Sequence, residues 1–178
     1  MSMNDMLYTH IESPIGKLLL CGDEERLAGL YTAPRCHDAA VVRGARPATA
    51  PFARVREQLE EYFAGERLEF ELPLSMDRGS AFFQSVWREL LEIPYGATTT
   101  YGELARKLGH PTAVRAVGLA NGRNPISIIV PCHRVIGASG SLTGYAGGLE
   151  RKAFLLRHEA EVAERGVTDP IAQGMPAG

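Results

Sequence analysis

The chain has 178 residues, of which 45% are hydrophobic and 22% charged, the make-up of an ordinary globular protein of one or two small domains. No apolar run reaches bilayer length, the opening MSMNDMLYTH lacks the basic-then-apolar pattern of a secretory signal, and Cys21, Cys36 and Cys132 are too few and too scattered for a disulfide framework, so a cytoplasmic protein with reduced thiols and no membrane contact is expected. The net charge of -2 hides a gradient, because residues 82–157 carry 9 Lys+Arg against 4 Asp+Glu while both flanks are acidic, and such a basic block is the local field that a phosphate backbone would meet.

In chain order, MLYTHIE alternates, with Leu7, Thr9 and Ile11 on one side, SPIG is turn chemistry, and KLLLC and RLAGLY are short apolar runs around the polar GDEE. An antiparallel meander is predicted. Residues 33–50, rich in Pro, Ala, Gly and Arg, read as a loop. From Pro51 to Ala64 the spacing of Phe52, Val55, Leu59, Tyr62 and Phe63 predicts an amphipathic helix that Gly65 stops. LEFEL is a candidate further strand, and the polar PLSMDRGS puts a domain boundary near residue 79.

The second half opens with AFFQSVWRELLEI, where Phe83, Val86, Trp87 and Leu90 form a helical core stripe. TYGELARKLG begins with Thr100 and Glu103, a capping box, and ends at Gly109. Pro111 is expected to start a second short helix that stops at Gly122, so the pair reads as a helix-turn-helix. This second helix holds Ala113, Ala116, Gly118 and Ala120, with Arg115 its one charge. Small residues let a helix pack tightly on a neighbour. They also let its backbone approach DNA closely, with one Arg projecting into the stack. An apolar strand ISIIV, then PCHRVIG, a Gly/Ser-rich loop and a last helix, LERKAFLLRHEAEVA, complete the chain. The tail from residue 166 to 178 is expected to be disordered.

Cys132 and His133 are adjacent. In extended backbone they would point apart, so contact requires a turn, which Pro131 makes plausible. A thiol packs, ligates metal or attacks. Attack requires the thiolate, a base and a group to orient that base. Neither Cys132-His133 nor Cys36-His37 has zinc-ligand spacing, and no metal is expected. Spacing alone does not choose between a buried structural thiol and a nucleophile.

PCHRVIG, with ARKLGHPTAVRAVGLANGRNP before it and GYAGGLERKAFLLRHE after it, closely resembles the O6-alkylguanine-DNA alkyltransferases, also called methylated-DNA-protein-cysteine methyltransferases. The resemblance is strong over residues 80–160 and looser through SPIGKLLL and YFAGE. It implies an α/β (α+β) architecture. Residues 1–79 would be a ribonuclease-H-like scaffold, and residues 80–165 a mainly helical domain whose helix-turn-helix binds the minor groove of double-stranded DNA. It implies single-use transfer of the alkyl group of O6-alkylguanine, with O4-alkylthymine a further candidate, to Cys132. His133 would be the base acting through water, Glu159 its orienting carboxylate, Asn124 the residue shaping the site, and Tyr101 the residue that rotates the nucleotide and donates a proton. Arg115 would fill the gap left by the flipped base, with Ala113, Val114, Ala116 and Gly118 also facing DNA. Pro131, Tyr145, Ala146 and Gly147 would line the base pocket. No cofactor is implied, and a monomer, with cooperative binding on DNA a further option, is expected. Ala146 stands where some relatives carry serine, and Val114 where some carry alanine. Three other classes compete. A non-catalytic alkylated-base-binding protein would lack the cysteine. A helix-turn-helix regulator would show long base-reading side chains. A thiol hydrolase would turn over.

Overall fold

In the computed structural model, which describes residues 5–166, the three early apolar runs form the expected antiparallel meander. They are β1 (Leu7–Ile11), β2 (Leu18–Gly22) and β3 (Leu27–Tyr31), and Thr9 opposes Leu20 while Leu20 opposes Leu30. Every residue of β2 is buried, as the central strand of a sheet covered on both faces requires. A two-residue strand, β4 (Arg46–Pro47), adds parallel to β1 and gives the order β3-β2-β1-β4. A single 3₁₀ turn, Ala50–Phe52, leads into α1 (Ala53–Ala64), which buries Val55, Gln58, Leu59 and Tyr62. Gly65 ends this helix at φ 77, the left-handed geometry that glycine adopts without penalty.

LEFEL is not a strand. Residues 68–72 run alongside α1 with no ladder partner, because a side chain takes the ladder's place. The Gln58 amide donates to Glu71 O (3.2 Å) and accepts from Glu71 N (2.9 Å). Only at Leu74 does the segment bridge to Leu27 on the outer edge of β3.

The helical half begins at α2 (Ala81–Leu91), capped by the Ser80 hydroxyl and burying Val86, Trp87 and Leu90. A short strand, β5 (Thr99–Thr100), runs into α3 (Tyr101–Lys107), where the Thr100–Glu103 capping box is formed in both directions. The next helix, α4 (Val114–Gly122), starts three residues later than Pro111, which instead occupies a connecting turn closed by Ala113 N–H on His110 O. Helix α4 packs on α2 and α3, and Trp87 Nε1 donates to Ala120 O (2.8 Å). Its small residues therefore divide, with Ala120 packed inward while Ala116 stays exposed.

ISIIV is not a strand either. Ile126 makes one bridge to Leu30, again on the β3 edge, and residues 127–129 turn. Beyond it, β6 (Val135–Ile136) pairs parallel with β5, and α5 (Leu149–Arg165) closes the described chain. Of the tail expected to be disordered, residues 166–178, Gly166 caps α5 and residues 167–178 lie outside the described residues. One apolar cluster joins both halves, with Leu20, Leu30 and Leu59 meeting Leu90, Val117 and Leu155.

Replacing the strand-mimicking amide by Gln58→Leu keeps the volume and removes both bonds to Glu71. The expected cost is about 1–2 kcal/mol, read as a lower urea midpoint with an unchanged slope.

Candidate active site

Asn124 builds the turn before the cysteine. Its side-chain oxygen accepts from Ile126 N (3.0 Å), and its amide donates to Val130 O (2.8 Å) and Ile126 O (3.4 Å). The turn forces Ile128 to φ 72, unusual for a β-branched residue and costing of order 1–3 kcal/mol. Complete burial of the Ile128 side chain offsets that strain. The outer edge of β3 anchors the same turn, as Leu30 N donates to Pro125 O (2.9 Å) and Ser127 N to Leu30 O (3.1 Å).

The chain then coils into a 3₁₀ turn, Cys132–Arg134. Cys132 and His133 thus leave extended geometry, which removes the objection that neighbouring side chains point apart. Cys132 is 4% exposed, His133 0% and Glu159 1%. His133 Nε2 donates to Glu159 Oε1 at 2.7 Å, which fixes the tautomer and leaves Nδ1 as the acceptor. Among the described residues Nδ1 is buried and without a hydrogen-bond partner.

Glu159 accepts more than this one bond. Oε1 also takes Tyr62 OH (2.8 Å) and Arg134 Nη2 (2.9 Å), and Oε2 takes Arg134 Nε (2.9 Å) and Gly96 N (3.3 Å). Arg134 in turn donates to Ile93 O (2.6 Å) and lies over the Tyr95 ring. Burial alone would raise the Glu159 carboxyl, but the bonds and charges of His133 and Arg134 outweigh it and hold the group at about 2. Burial pushes the His133 imidazole below its ordinary value, against the pull of Glu159. A neutral base is the result.

Burial also raises the Cys132 thiol, opposed by the Asn124 side chain, the charge of Lys152 and the backbone N–H groups of Cys132 and His133. Cys21 differs, since burial drives it to about 11 with only the more distant charges of Arg78 and Arg35 opposing. Of these two thiols, only Cys132 has a histidine next to it in the chain.

Of the expected residues, Tyr101 and Tyr145 lie near enough to the thiol for Cys132 to bear on the titration of both. Tyr101 OH donates to Thr143 O (2.8 Å), and Cys132 and Asn121 both influence its titration. The ring of Tyr101 lies 3.8 Å from where a Cβ on Gly118 would stand, an ordinary van der Waals contact, so α4 packs directly against the tyrosine at this position. Pro131, Tyr145 and Gly147 are buried, and a Cβ on Gly147 would collide with Thr32 and Tyr145, while Ala146 is exposed. Val114, Arg115 and Ala116 stand on the exposed side of α4, with Ala113 half-buried at its start. They form part of the outward surface of the helical half.

Several site residues are not in the sequence reading. Lys152 is fully buried, donating to Val135 O (2.5 Å) and Thr143 O (2.7 Å), which pins the loop that carries Tyr145. Asn121 donates to Cys132 O (3.4 Å). Leu119, 54% exposed, extends the outward face of α4. A signal for Lys152 was available. The buried stripe of α5 is Lys152, Leu155, Glu159 and Val162, and two charges on a helix's apolar face mark a paired buried site. Arg134 lies inside the quoted PCHR motif. Tyr62 reads as one more aromatic core position, and nothing in its spacing reveals the hydroxyl's partner.

Comparison with known proteins follows the same division of the chain. Residues 6–76 match the model of the 6-O-methylguanine DNA methyltransferase ribonuclease-like domain, and residues 81–161 that of its DNA binding domain. A methylated-DNA--protein-cysteine methyltransferase of Methanosarcina acetivorans is 50% identical over 163 residues, covering 86% of this chain and 98% of that protein. Its Mycobacterium bovis namesake is 50% identical over 161 residues, covering 90% and 96%. The crystal structure of Mycobacterium tuberculosis O6-methylguanine methyltransferase superimposes with a TM-score of 0.84 at 49% identity, covering 92% of this chain and 98% of that one. The M. tuberculosis OGT structure in complex with DNA gives 0.79 at 50% identity, covering 88% and 94%.

The depressed carboxyl of Glu159 has a stability consequence. A group whose folded pKa lies below its unfolded value stabilises the fold above the unfolded value, near 4.5, and loses that contribution as pH falls toward about 2. In Glu159→Gln this part of the acid dependence disappears. At neutral pH the variant is expected to be less stable by roughly 3–5 kcal/mol, because Arg134 stays buried without its counter-charge. Urea unfolding of both proteins at pH 7 and pH 3, followed by Trp87 fluorescence, measures both effects.

Proposed function

The chain belongs to the 6-O-methylguanine DNA methyltransferase family, and on that premise we propose that it is a DNA repair protein which moves the alkyl group of O6-alkylguanine in duplex DNA onto its own Cys132. The observation that carries this assignment of the acceptor is His133. Its Nε2 is committed to Glu159, its Nδ1 is buried without a partner among the described residues, and it follows directly in the chain on the one thiol in the basic half.

In the reaction the Cys132 thiol gives its proton to His133 through a water. Sulfur attacks the alkyl carbon, the S–C bond forms as the C–O6 bond breaks, and guanine departs with the electron pair. Guanine leaves well only if it gains a proton as it goes; Tyr101 supplies that proton, and the proton taken up by His133 afterwards returns to the Tyr101 oxygen through solvent. Its hydroxyl is held by Thr143 O and is pushed up by burial, so it stays protonated until used. The product is a thioether. No group in the site can cleave it, so each molecule acts once. This is the difference from a thiol hydrolase, whose acyl-sulfur bond water can open.

O6 of a stacked base is out of reach of a buried thiol, so the nucleotide is extruded, and a mispaired O6-alkylguanine is the cheaper base to extrude. Helix α4 enters the minor groove. Ala113, Ala116 and Gly118 keep its backbone close, Val114 packs beside them, and Arg115 fills the vacated place. The extruded base lies among Pro131, Tyr145, Ala146 and Gly147, read by backbone N–H at Ala146 in place of a side-chain hydroxyl. Residues 1–79 act as scaffold and residues 80–165 as the DNA-binding and acceptor domain. The protein works as a monomer in the cytoplasm, without cofactor or metal. No described helix is long and apolar enough to cross a membrane.

With excess duplex carrying one O6-methylguanine, transfer stops at one methyl per chain. Cys132→Ser transfers none but still binds the duplex. Tyr101→Phe lowers the single-turnover rate by about 10²-fold. Arg115→Ala lowers it roughly tenfold on duplex and leaves the rate with free O6-methylguanine unchanged. Continued release of methyl beyond one per chain would replace this reading with a hydrolase, and binding without transfer would replace it with a damage-binding protein.

A further inference from the structure

The carboxylate that orients His133 is shared with a residue from the other half of the chain. Tyr62, fully buried on α1, places its hydroxyl 2.8 Å from Glu159 Oε1, the same oxygen that takes His133 Nε2 at 2.7 Å. Its position is fixed from several sides. His158 Nε2 donates to Tyr62 O (2.8 Å), and the rings of Phe63, Phe70 and Tyr95 lie 5.2, 5.4 and 6.0 Å from the Tyr62 ring.

We infer that Tyr62 is a positioning residue that holds down the basicity of His133 by competing with it for Glu159 Oε1. The inference rests on the function proposed above. A carboxylate oxygen has a limited lone-pair density to share, and each added donor weakens the others' claim on it. The charged groups that act on His133 are Glu159 and Lys152 of α5 and Arg134 of its own turn, with Cys132 its neighbour in the chain and Tyr62 of α1 and Tyr95 bearing on Glu159. Of these, Glu159 is the one that favours the imidazolium. Whatever draws charge from Oε1 therefore keeps His133 neutral, and a neutral imidazole is the form that accepts the thiol proton. Tyr62 is suited to a permanent donor role, since burial and the adjoining carboxylate push its phenol well above the ordinary value.

Tyr62→Phe removes the hydroxyl and keeps the ring. The test is the single-turnover transfer rate from an O6-methylguanine duplex between about pH 5.5 and pH 9, alongside the His133 ring signal by NMR in the free protein. Tyr95→Phe is the control, because the Tyr95 hydroxyl is also buried, has no partner among the described residues and does not bond Glu159. In Tyr62→Phe the acid limb of the rate profile is expected to move up by roughly half a pH unit or more, with the His133 midpoint moving alike. The plateau should stay within about threefold of the parent or rise slightly, as general-base behaviour predicts. Tyr95→Phe should move neither. A lowered plateau with the limb and the His133 midpoint in place would make Tyr62 a packing residue and overturn the inference. If the parent protein transfers nothing while the His133 midpoint still moves in Tyr62→Phe, the proposed function fails and the control of His133 by Tyr62 stands.

Discussion

One buried carboxylate ties the molecule together. Glu159 receives hydrogen bonds from α1 through Tyr62, from the cysteine turn through His133 and Arg134, and from the segment after α2 through Gly96 N. An ionised group in that position is heavily penalised unless its lone pairs are filled and its charge is matched. Five bonds and one guanidinium meet that demand, and they come from three separate parts of the chain. The site therefore cannot form until both halves have packed. The same geometry that makes the charge tolerable also sets the imidazole's tautomer and angle, so stability and reactivity rest on the same atoms.

The thiol is handled differently. Cys132 is buried, and burial raises it rather than activating it. The turn compensates with what lies within reach: the Asn124 amide, the Lys152 charge, and the N–H groups at the head of the 3₁₀ turn, where backbone dipoles favour a thiolate. The resting pair is neutral thiol and neutral imidazole, which the proposed reaction converts by proton transfer when substrate arrives. This arrangement suits a nucleophile used once. It protects the thiol from adventitious oxidants and requires no means of regenerating it. The outer edge of β3 contributes as well, since the sheet of the first half holds both Leu74 and the Ile126 turn through single bridges.

Much of the fold is legible in the sequence where periodicity is strong. The meander, α1 with its Gly65 stop, the α2 stripe and the Thr100–Glu103 capping box follow from spacing and end signals. Two apolar runs mislead. LEFEL and ISIIV have strand composition, yet Gln58 occupies the ladder position beside the first. In the second, Asn124 folds the chain into a turn that requires Ile128 at positive φ. In both, a single amide side chain substitutes for backbone pairing, and composition does not register that. In the site, the adjacent Cys132 and His133 invite a reactive reading, but the partner carboxylate 26 positions along the chain from His133 is named only through family resemblance. Lys152 and Glu159 could have been picked out as charges on the buried face of α5. The hydroxyl of Tyr62 could not, because its partner lies 97 positions away and its ring fits the α1 stripe as any aromatic would.

The central claim is that Cys132 is the atom that receives the alkyl group and keeps it. Intact mass and peptide mapping test this most directly, after the protein and a duplex with one O6-methylguanine are mixed in equal amounts. The account predicts a single added methyl on the peptide spanning Cys132, unmodified Cys21 and Cys36 peptides, and ordinary guanine left in the DNA. A methyl on another residue, or a duplex bound tightly with no change in protein mass, would contradict it.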